Sequence, residues 1–356
     1  MRKIFLLLLA ICWMTAGFSQ KFRDASELTV VGAPFSCESS PFHRVDSLRY
    51  PRLLSGIKYR YACPAGMAIA FKTNSNVIKA RWQTSPRNVG ANMTANAQKG
   101  LDLYIKQKGK WIFAGIAIPK KENHEYTLVG NMMSGEKECL LYLPVYDVLK
   151  SLEIGVDETA FLQPLEPPFK HRIAVYGSSI VHGVGVSRAG MTYPALLSRR
   201  TGMNFINMGI SGMAKMEPEV AEMLADVEAD AYILDCIPNP SPDQIRERLV
   251  PFVKYLRERR PGKPIIFIQT IRRETVNFDT KKEDLETAKM KAAREEIAKL
   301  KDEGINDFFF IDEDEFIGSD HEATVDGTHP SDLGFERMIL KIEPRILKIL
   351  KKYNIR

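Results

Sequence analysis

Residues 173–183 read IAVYGSSIVHG, an apolar run that stops at a glycine and two adjacent serines. A short continuous apolar stretch bounded by Gly is the pattern of a strand buried on both faces of a parallel sheet. The pattern is already present in RIAVYG (172–177) and returns in NFINMG (204–209), AYILDC (231–236), PIIFIQT (264–270) and DFFFID (307–312). Helical periods alternate with these runs. Residues 242–260 place Ile245, Leu249, Phe252 and Leu256 on one face, and residues 281–303 do so with Leu285, Met290, Ala293, Ile297 and Leu300. A third amphipathic segment, 333–350, is interrupted by Pro344. Five buried strands alternating with helices predict a three-layer α/β/α domain over residues 170–356. Such sheets bind ligands at the carboxyl ends of their strands, where the two serines stand.

The first half has a different period. In GMAIAFKTNS (66–75) Met67, Ile69 and Phe71 alternate with smaller residues, and in NVIKARW (76–82) Ile78, Ala80 and Trp82 share a face. GLDLYIK (100–106), KWIFAGIAI (110–118) and ECLLYLPVY (138–146) continue in this style between Gly-, Asn- and Lys-rich turns. Many short alternating strands predict an all-β sandwich, a jelly roll, over residues 22–165. The stretch 161–172, with Pro164, Pro167 and Pro168, is the expected linker. A chain of 356 residues fits two domains better than one core.

The chain begins MRKIFLLLLAICWMTAGFSQ: two cations, an apolar stretch, then small residues. That is the layout of a secretory signal peptide over residues 1–19, and the apolar run is short for a membrane span of ~20 residues. Export to the periplasm, surface or surroundings of a bacterium is therefore expected. Cys37, Cys63, Cys139 and Cys236 then remain, too widely spaced for a disulfide scaffold or a C-x-x-C metal site. One bridge within the first half is allowed, while Cys236 reads as a buried thiol. The net charge of +6 is scattered, with no Lys/Arg block carrying interleaved aromatics, so no nucleic-acid partner is expected. No G-x-G-x-x-G follows the first parallel strand and no His/Asp/Cys cluster stands at ligand spacing, so no cofactor or metal is expected either.

A serine nucleophile needs a base. Of the six histidines, His43 and His124 fall in the sandwich and His171 in the linker, leaving His182, His321 and His329. His329 lies in VDGTHPSD (325–332), three residues after Asp326. In a loop or first helical turn that spacing sets a carboxylate beside the imidazole, where it fixes the tautomer and stabilises the imidazolium. His321 directly follows Asp320, and adjacent residues in extended chain point apart. The same D-G-T-H-P run is good turn chemistry, with Asp326 or Ser331 capping the next helix. Its place after the last strand, on the edge that carries the serines, favours catalysis. A developing oxyanion also needs donors. NMGISGM (207–213) offers the N–H of Gly212, unshielded by a side chain, and LDCIPNP (234–240) offers Asn239, whose alternative role is a helix cap. G-x-S-x-G is absent, which disfavours an α/β-hydrolase elbow.

In order, GSSI, N-x-G-x-S-G, the Asn of CIPN and D-G-T-H-P resemble the sequence blocks of SGNH (GDSL-like) hydrolases, across most of residues 172–352. GLDLYIK and LYLPVYD resemble the N-terminal jelly roll of an exported bacterial branch of that family. The resemblance implies a flavodoxin-like domain with five parallel strands. It also implies that Ser179 is the nucleophile, His329 its base and Asp326 the orienting carboxylate. Gly212, Asn239 and the backbone N–H of Ser179 would form the oxyanion hole. Ser178 stands where the family has Asp, and the acid after the family's Asn is replaced by Pro240; neither missing carboxylate is a reacting group. Strand alternation alone does not choose between the serines; the resemblance selects Ser179 and leaves Ser178 to bond nearby backbone. The activity implied is ester hydrolysis, first of carbohydrate O-acetyl groups. Alternatives are a lipase, thioesterase or arylesterase acting on acyl chains, or a non-catalytic glycan-binding protein. His182 and Arg188 are candidates to line the substrate cleft, with solvated loops as the alternative.

Overall fold

This computed structural model describes residues 19–37, 40–120, 123–313 and 315–356. The expected signal peptide lies outside them, apart from Ser19. The alternating segments of the first half form β1 (Gln20–Asp24), β2 (Thr29–Val31), β3 (Ala68–Thr73), β4 (Ile78–Thr84), β5 (Leu101–Gln107), β6 (Lys110–Ala117), β7 (Asn123–Val129), β8 (Lys137–Tyr142), β9 (Leu149–Asp157) and β10 (Leu162–Pro164). Their antiparallel sheets run β1-β9-β4-β7 and β10-β3-β8-β5-β6, with β2 added to β3. Lettered B to I, β1 and β3–β9 fall in the orders B-I-D-G and C-H-E-F, which is the jelly-roll arrangement. The linker is shorter than expected, because Leu162–Pro164 still pairs with Phe71–Thr73.

The large/small alternation along β3 has a structural cause. Met67, Ile69 and Phe71 fill the core between the two sheets, while Ala68 and Ala70 point outward and are equally buried against the second domain. Small side chains on that face let the other domain approach closely. The same alternation puts Leu101 and Leu103 of β5 inside the sandwich and Tyr104 at the domain junction. The segment between β2 and β3 departs from the all-β expectation. It contains the helix α1 (Ser55–Tyr61), whose Ile57 and Tyr61 are buried in the core of the second domain.

A second short helix of the sandwich, α2 (Ala95–Lys99), precedes β5. The parallel strands are β11 (Lys170–Gly177), β12 (Met203–Gly209), β13 (Ala231–Asp235), β14 (Ile265–Ile268) and β15 (Phe308–Ile311). Their order, β12-β11-β13-β14-β15, is the flavodoxin order 2-1-3-4-5. The helices are α3 (Ser179–His182), α4 (Tyr193–Thr201), α5 (Pro218–Asp226), α6 (Pro242–Arg259), α7 (Thr280–Asp302) and α8 (Asp332–Lys351). Ile173 and Val175 of β11 pack towards α4 and α8, and Ala174 and Tyr176 towards α5, α6 and α7. Burial on both faces is why these strands read as continuous apolar runs.

Two helices differ from expectation. α8 continues through Pro344 rather than breaking there. In α7, Leu285 is 46% exposed, and the buried stripe instead includes Glu286 and Lys289, which pair at 3.0 Å. The four cysteines of the described residues are unbridged thiols, so the single disulfide allowed by the sequence does not form. Among the described residues no helix is long and apolar enough to cross a membrane.

Candidate active site

Strand β11 ends at Gly177, where a Cβ would lie 2.2 Å from the Asp235 carbonyl oxygen and 2.3 Å from Val181 Cγ2. Only glycine lets the chain turn from the strand directly into α3. Ser178 is fully buried and caps that helix, its Oγ accepting the Ile180 N–H at 3.2 Å. Ser179 is the first helical residue, and its hydroxyl donates to His329 Nε2 at 2.8 Å. The His329 Nδ1–H donates to Asp326 Oδ2 at 2.7 Å. Asp326 Oδ1 accepts the backbone N–H groups of Thr328 (3.0 Å) and His329 (2.8 Å), so a tight loop realises the i, i+3 spacing. Partial burial alone would push the Asp326 carboxyl up. Hydrogen bonds from the His329 ring, the His329 N–H and Asn92 outweigh that and hold it at about 2. The carboxylate therefore stays ionised beside the imidazole.

Donors gather from two more strand ends. Gly212, in the loop after β12, has φ +72° and no heavy atom within 4 Å of where a Cβ would be. Glycine suits that left-handed backbone, and the space beside it is open. Asn239, after β13, accepts the Ala214 N–H on Oδ1 at 3.2 Å, which leaves its Nδ2 as the donating end. It does not cap α6: Ser241 does, in a capping box with Gln244. The Ser179 N–H is one of the first-turn amides of a helix, which have no intrahelical acceptor. Loops after β11, β12, β13 and β15 thus bring Ser179, Gly212, Asn239 and the Asp326–His329 pair to one sheet edge.

Residues 170–347 match the GDSL-like lipase/acylhydrolase family, and residues 20–162 match the N-terminus of SGNH hydrolase-type esterases. The chain belongs to the GDSL-like acylhydrolase family. It is an ester hydrolase of the SGNH type. A crystal structure of a GDSL-like lipase candidate from Bacteroides ovatus is 53% identical, with TM-score 0.92, and covers 94% of this chain and 98% of its own. The salicylyl-acyltransferase SsfX3 of a tetracycline biosynthetic pathway aligns with TM-score 0.75 at 19% identity, covering 93% and 97%. A family two carbohydrate esterase from Cellvibrio japonicus aligns with TM-score 0.62 at 14% identity, covering 94% and 98%. No curated protein matches the chain.

Two residues offered from the sequence as cleft-lining groups of this acylhydrolase lie elsewhere. His182 is fully buried, with Nε2–H donating to the Val145 carbonyl at 2.9 Å and the Tyr146 ring 4.6 Å away. Burial and the adjacent Arg44 guanidinium drive its pKa well down, so the ring is neutral and Nδ1 accepts the Ser211 N–H at 3.4 Å. It ties the sandwich to the Gly212 loop rather than facing substrate. Arg188 donates to Asp102 Oδ2 at 2.7 Å and to the Tyr104 hydroxyl, and it lies over the Phe113 ring at 4.4 Å. A buried carboxylate on the sandwich claims it, so its guanidinium is held at the domain junction.

No sequence motif marks Asn92. This sandwich residue donates from Nδ2 to Asp326 Oδ2 at 3.0 Å, from a loop without a recognisable motif. Asp235 is likewise unmarked by any motif. It is fully buried at the end of β13, its carbonyl accepting the Ser178 N–H at 3.2 Å and its carboxyl the Tyr193 O–H at 3.1 Å. Burial pushes its pKa up to about 7, against the lowering effect of Tyr193. Between the ordinary carboxylate range and pH 7 the folded protein holds a proton that the unfolded chain has lost, so stability falls as pH rises. Replacing Asp235 by Asn should remove a penalty of up to about 4 kcal/mol that is complete only above pH 7. Urea unfolding of both proteins at pH 5 and pH 8 checks this; parallel pH dependences would refute it.

Proposed function

We propose that this acylhydrolase removes O-acetyl groups from carbohydrates through a covalent acyl-enzyme. Ser179 Oγ attacks the ester carbonyl while His329 Nε2 takes its proton and Asp326 holds the opposite N–H of the ring. The N–H groups of Ser179 and Gly212 and the Asn239 amide stabilise the oxyanion. Collapse returns the proton from His329 to the departing sugar oxygen, and water then repeats the sequence to release acetate. The observation that carries this reading is the unbroken chain from Ser179 Oγ through His329 to Asp326, 2.8 and 2.7 Å long. It also argues against a binding protein with a decayed site.

Small acyl groups are favoured by what surrounds the serine. Asn92 reaches Asp326, and the loops after β12 and β13 carry Gly212 and Asn239 to the same sheet edge, groups that are polar or without a side chain. The apolar cavity of about 520 Å³, walled by Leu53, Ile57, Val220 and Phe252, includes none of the site residues. The family two carbohydrate esterases share the fold, and the leader-like residues 1–19 would export the protein to where glycans are met. Deacetylation of an acetylated xylan, with turnover of p-nitrophenyl esters falling from acetate to octanoate, would support the proposal. Faster hydrolysis of octanoate would sink it in favour of a lipase. Asn239→Ala should lower kcat on p-nitrophenyl acetate by about 10²–10³-fold with little change in KM, the loss typical of one oxyanion donor. An unchanged kcat would remove Asn239 from the site.

A further inference from the structure

The Asp326–His329 loop is not held by its own domain alone. Asp326 Oδ2 receives two donors, the His329 ring and Asn92 of the sandwich, and Oδ1 receives two backbone N–H groups of the loop itself. Asn92 is thus the partner of that carboxylate from outside residues 326–329. Two residues further on, Thr94 Oγ1 donates to the Ser187 carbonyl at 2.7 Å while accepting the Ala97 N–H at 3.0 Å. The N–H of Ser187 donates to Asp332 Oδ1 at 3.0 Å, and its hydroxyl donates to the other carboxylate oxygen. Asp332 is the first residue of α8, three positions after His329. The sandwich therefore grips both ends of the loop that carries the base, directly at Asp326 and through Ser187 at Asp332.

The gripping segment is itself braced. The buried Gln98 side chain accepts the Gly90 N–H at 2.9 Å and donates to the Asn88 carbonyl at 2.9 Å, and the Met93 N–H closes a turn on the Gly90 carbonyl at 3.1 Å. These bonds fix the backbone on either side of Asn92. An amide is well suited to its position. It gives the carboxylate a hydrogen bond without adding a charge, and it restrains rotation of a side chain that is still 29% exposed. With the Nδ1–H of His329 already given to Oδ2, the 3.5 Å approach of Asn92 Nδ2 to the ring sets two donors on one acceptor and leaves Nε2 towards Ser179.

We propose that Asn92 is a positioning residue for the ester hydrolysis, so that the jelly roll completes the active site by holding Asp326 and, through it, the His329 ring. This inference rests on the proposed roles of Ser179, His329 and Asp326. The residue acts on another catalytic group rather than on substrate, so its removal shows in kcat and not in KM.

The test uses the whole chain, p-nitrophenyl acetate, and Asn92→Ala and Asn92→Asp beside the wild type and Ser179→Ala. Asn92→Ala should lower kcat about 10–100-fold, the range for a lost hydrogen bond to a charged group, with KM and Tm nearly unchanged. Asn92→Asp should lower it further, because a second carboxylate then faces Asp326 Oδ2 and shifts the acid limb of the kcat/KM profile to higher pH. Asp326, His329 and, through Ser187, Asp332 are the ionisable groups around that point. A second readout needs no turnover: the Nδ1–H resonance of His329 in histidine-labelled protein should move or broaden in both variants. Wild-type kcat in Asn92→Ala, or a raised KM with unchanged kcat, would overturn the proposal, as would an unmoved resonance. Absence of Ser179-dependent turnover in the wild type, with the resonance moved by Asn92→Ala, would instead overturn the esterase mechanism and leave the clamp standing.

Discussion

Ser179→Ala and His329→Ala should each lower kcat on p-nitrophenyl acetate by about 10⁴–10⁶-fold, and the double variant should be scarcely worse than either. The near-equality of single and double losses is the informative part. A nucleophile and its base act as one unit, so removing the second member of a broken pair costs little more. Ser178→Ala provides the contrast. Its hydroxyl is committed to the Ile180 N–H, so this substitution should cost about 0.5–2 kcal/mol of stability as a lost cap and leave most of kcat. Steady-state rates and urea unfolding of the four variants check the set. A kcat in Ser178→Ala as low as in Ser179→Ala would move the nucleophile by one residue, against the 2.8 Å contact of Ser179 Oγ with His329.

The parallel-sheet domain was legible because its strands are buried on both faces. That leaves an uninterrupted apolar run in each, and the linked loops carry residue types that only strand-end chemistry needs together. Ser179, Gly212, Asn239, Asp326 and His329 are separated by up to 150 residues, yet they follow the carboxyl ends of four strands, Asp326 and His329 sharing β15. What stayed hidden are contacts made between domains. Asn92 belongs to an irregular loop of the sandwich, and nothing local distinguishes its amide from any surface Asn; only docking brings it to Asp326. His182 sits one turn after Ser179, where a cleft position is reasonable, but the Val145 carbonyl and Tyr146 of the sandwich enclose it. Helix α1 was concealed for a related reason, since its two buried residues face a core built mostly from residues more than a hundred positions away. Leu285 reflects the opposite error: the helical stripe was located correctly, but an ion pair took the buried place that an apolar residue was expected to fill.

The motif GLDLY shows how such a junction is encoded when it is local. Period-two alternation turns Leu101 and Leu103 into the sandwich core and delivers Asp102 and Tyr104 together to the outer face, where both meet Arg188 of the hydrolase domain. Asp102 is fully buried; it also accepts the Gly190 N–H at 2.9 Å, and its other oxygen has no hydrogen-bond partner among the described residues. Burial pushes its pKa up, while the Arg188 guanidinium 2.7 Å away pulls it back. Breaking one side of such a pair typically costs about 3–5 kcal/mol, because the remaining charge stays buried and alone. Arg188→Ala should therefore destabilise the protein by about that much at pH 8. The loss should shrink at pH 5, since an unpaired Asp102 with a raised pKa takes up a proton there and stability falls again as pH rises. Asp102→Ala leaves Arg188 with the Tyr104 hydroxyl, the Phe113 ring and some solvent, so its cost should sit at the low end and vary little with pH. Urea unfolding of both variants and of the double variant at the two pH values measures the coupling. Additive losses with no pH dependence would mean that the pair is dispensable, and that the junction is held by the apolar face of β3, β5 and β8 without it.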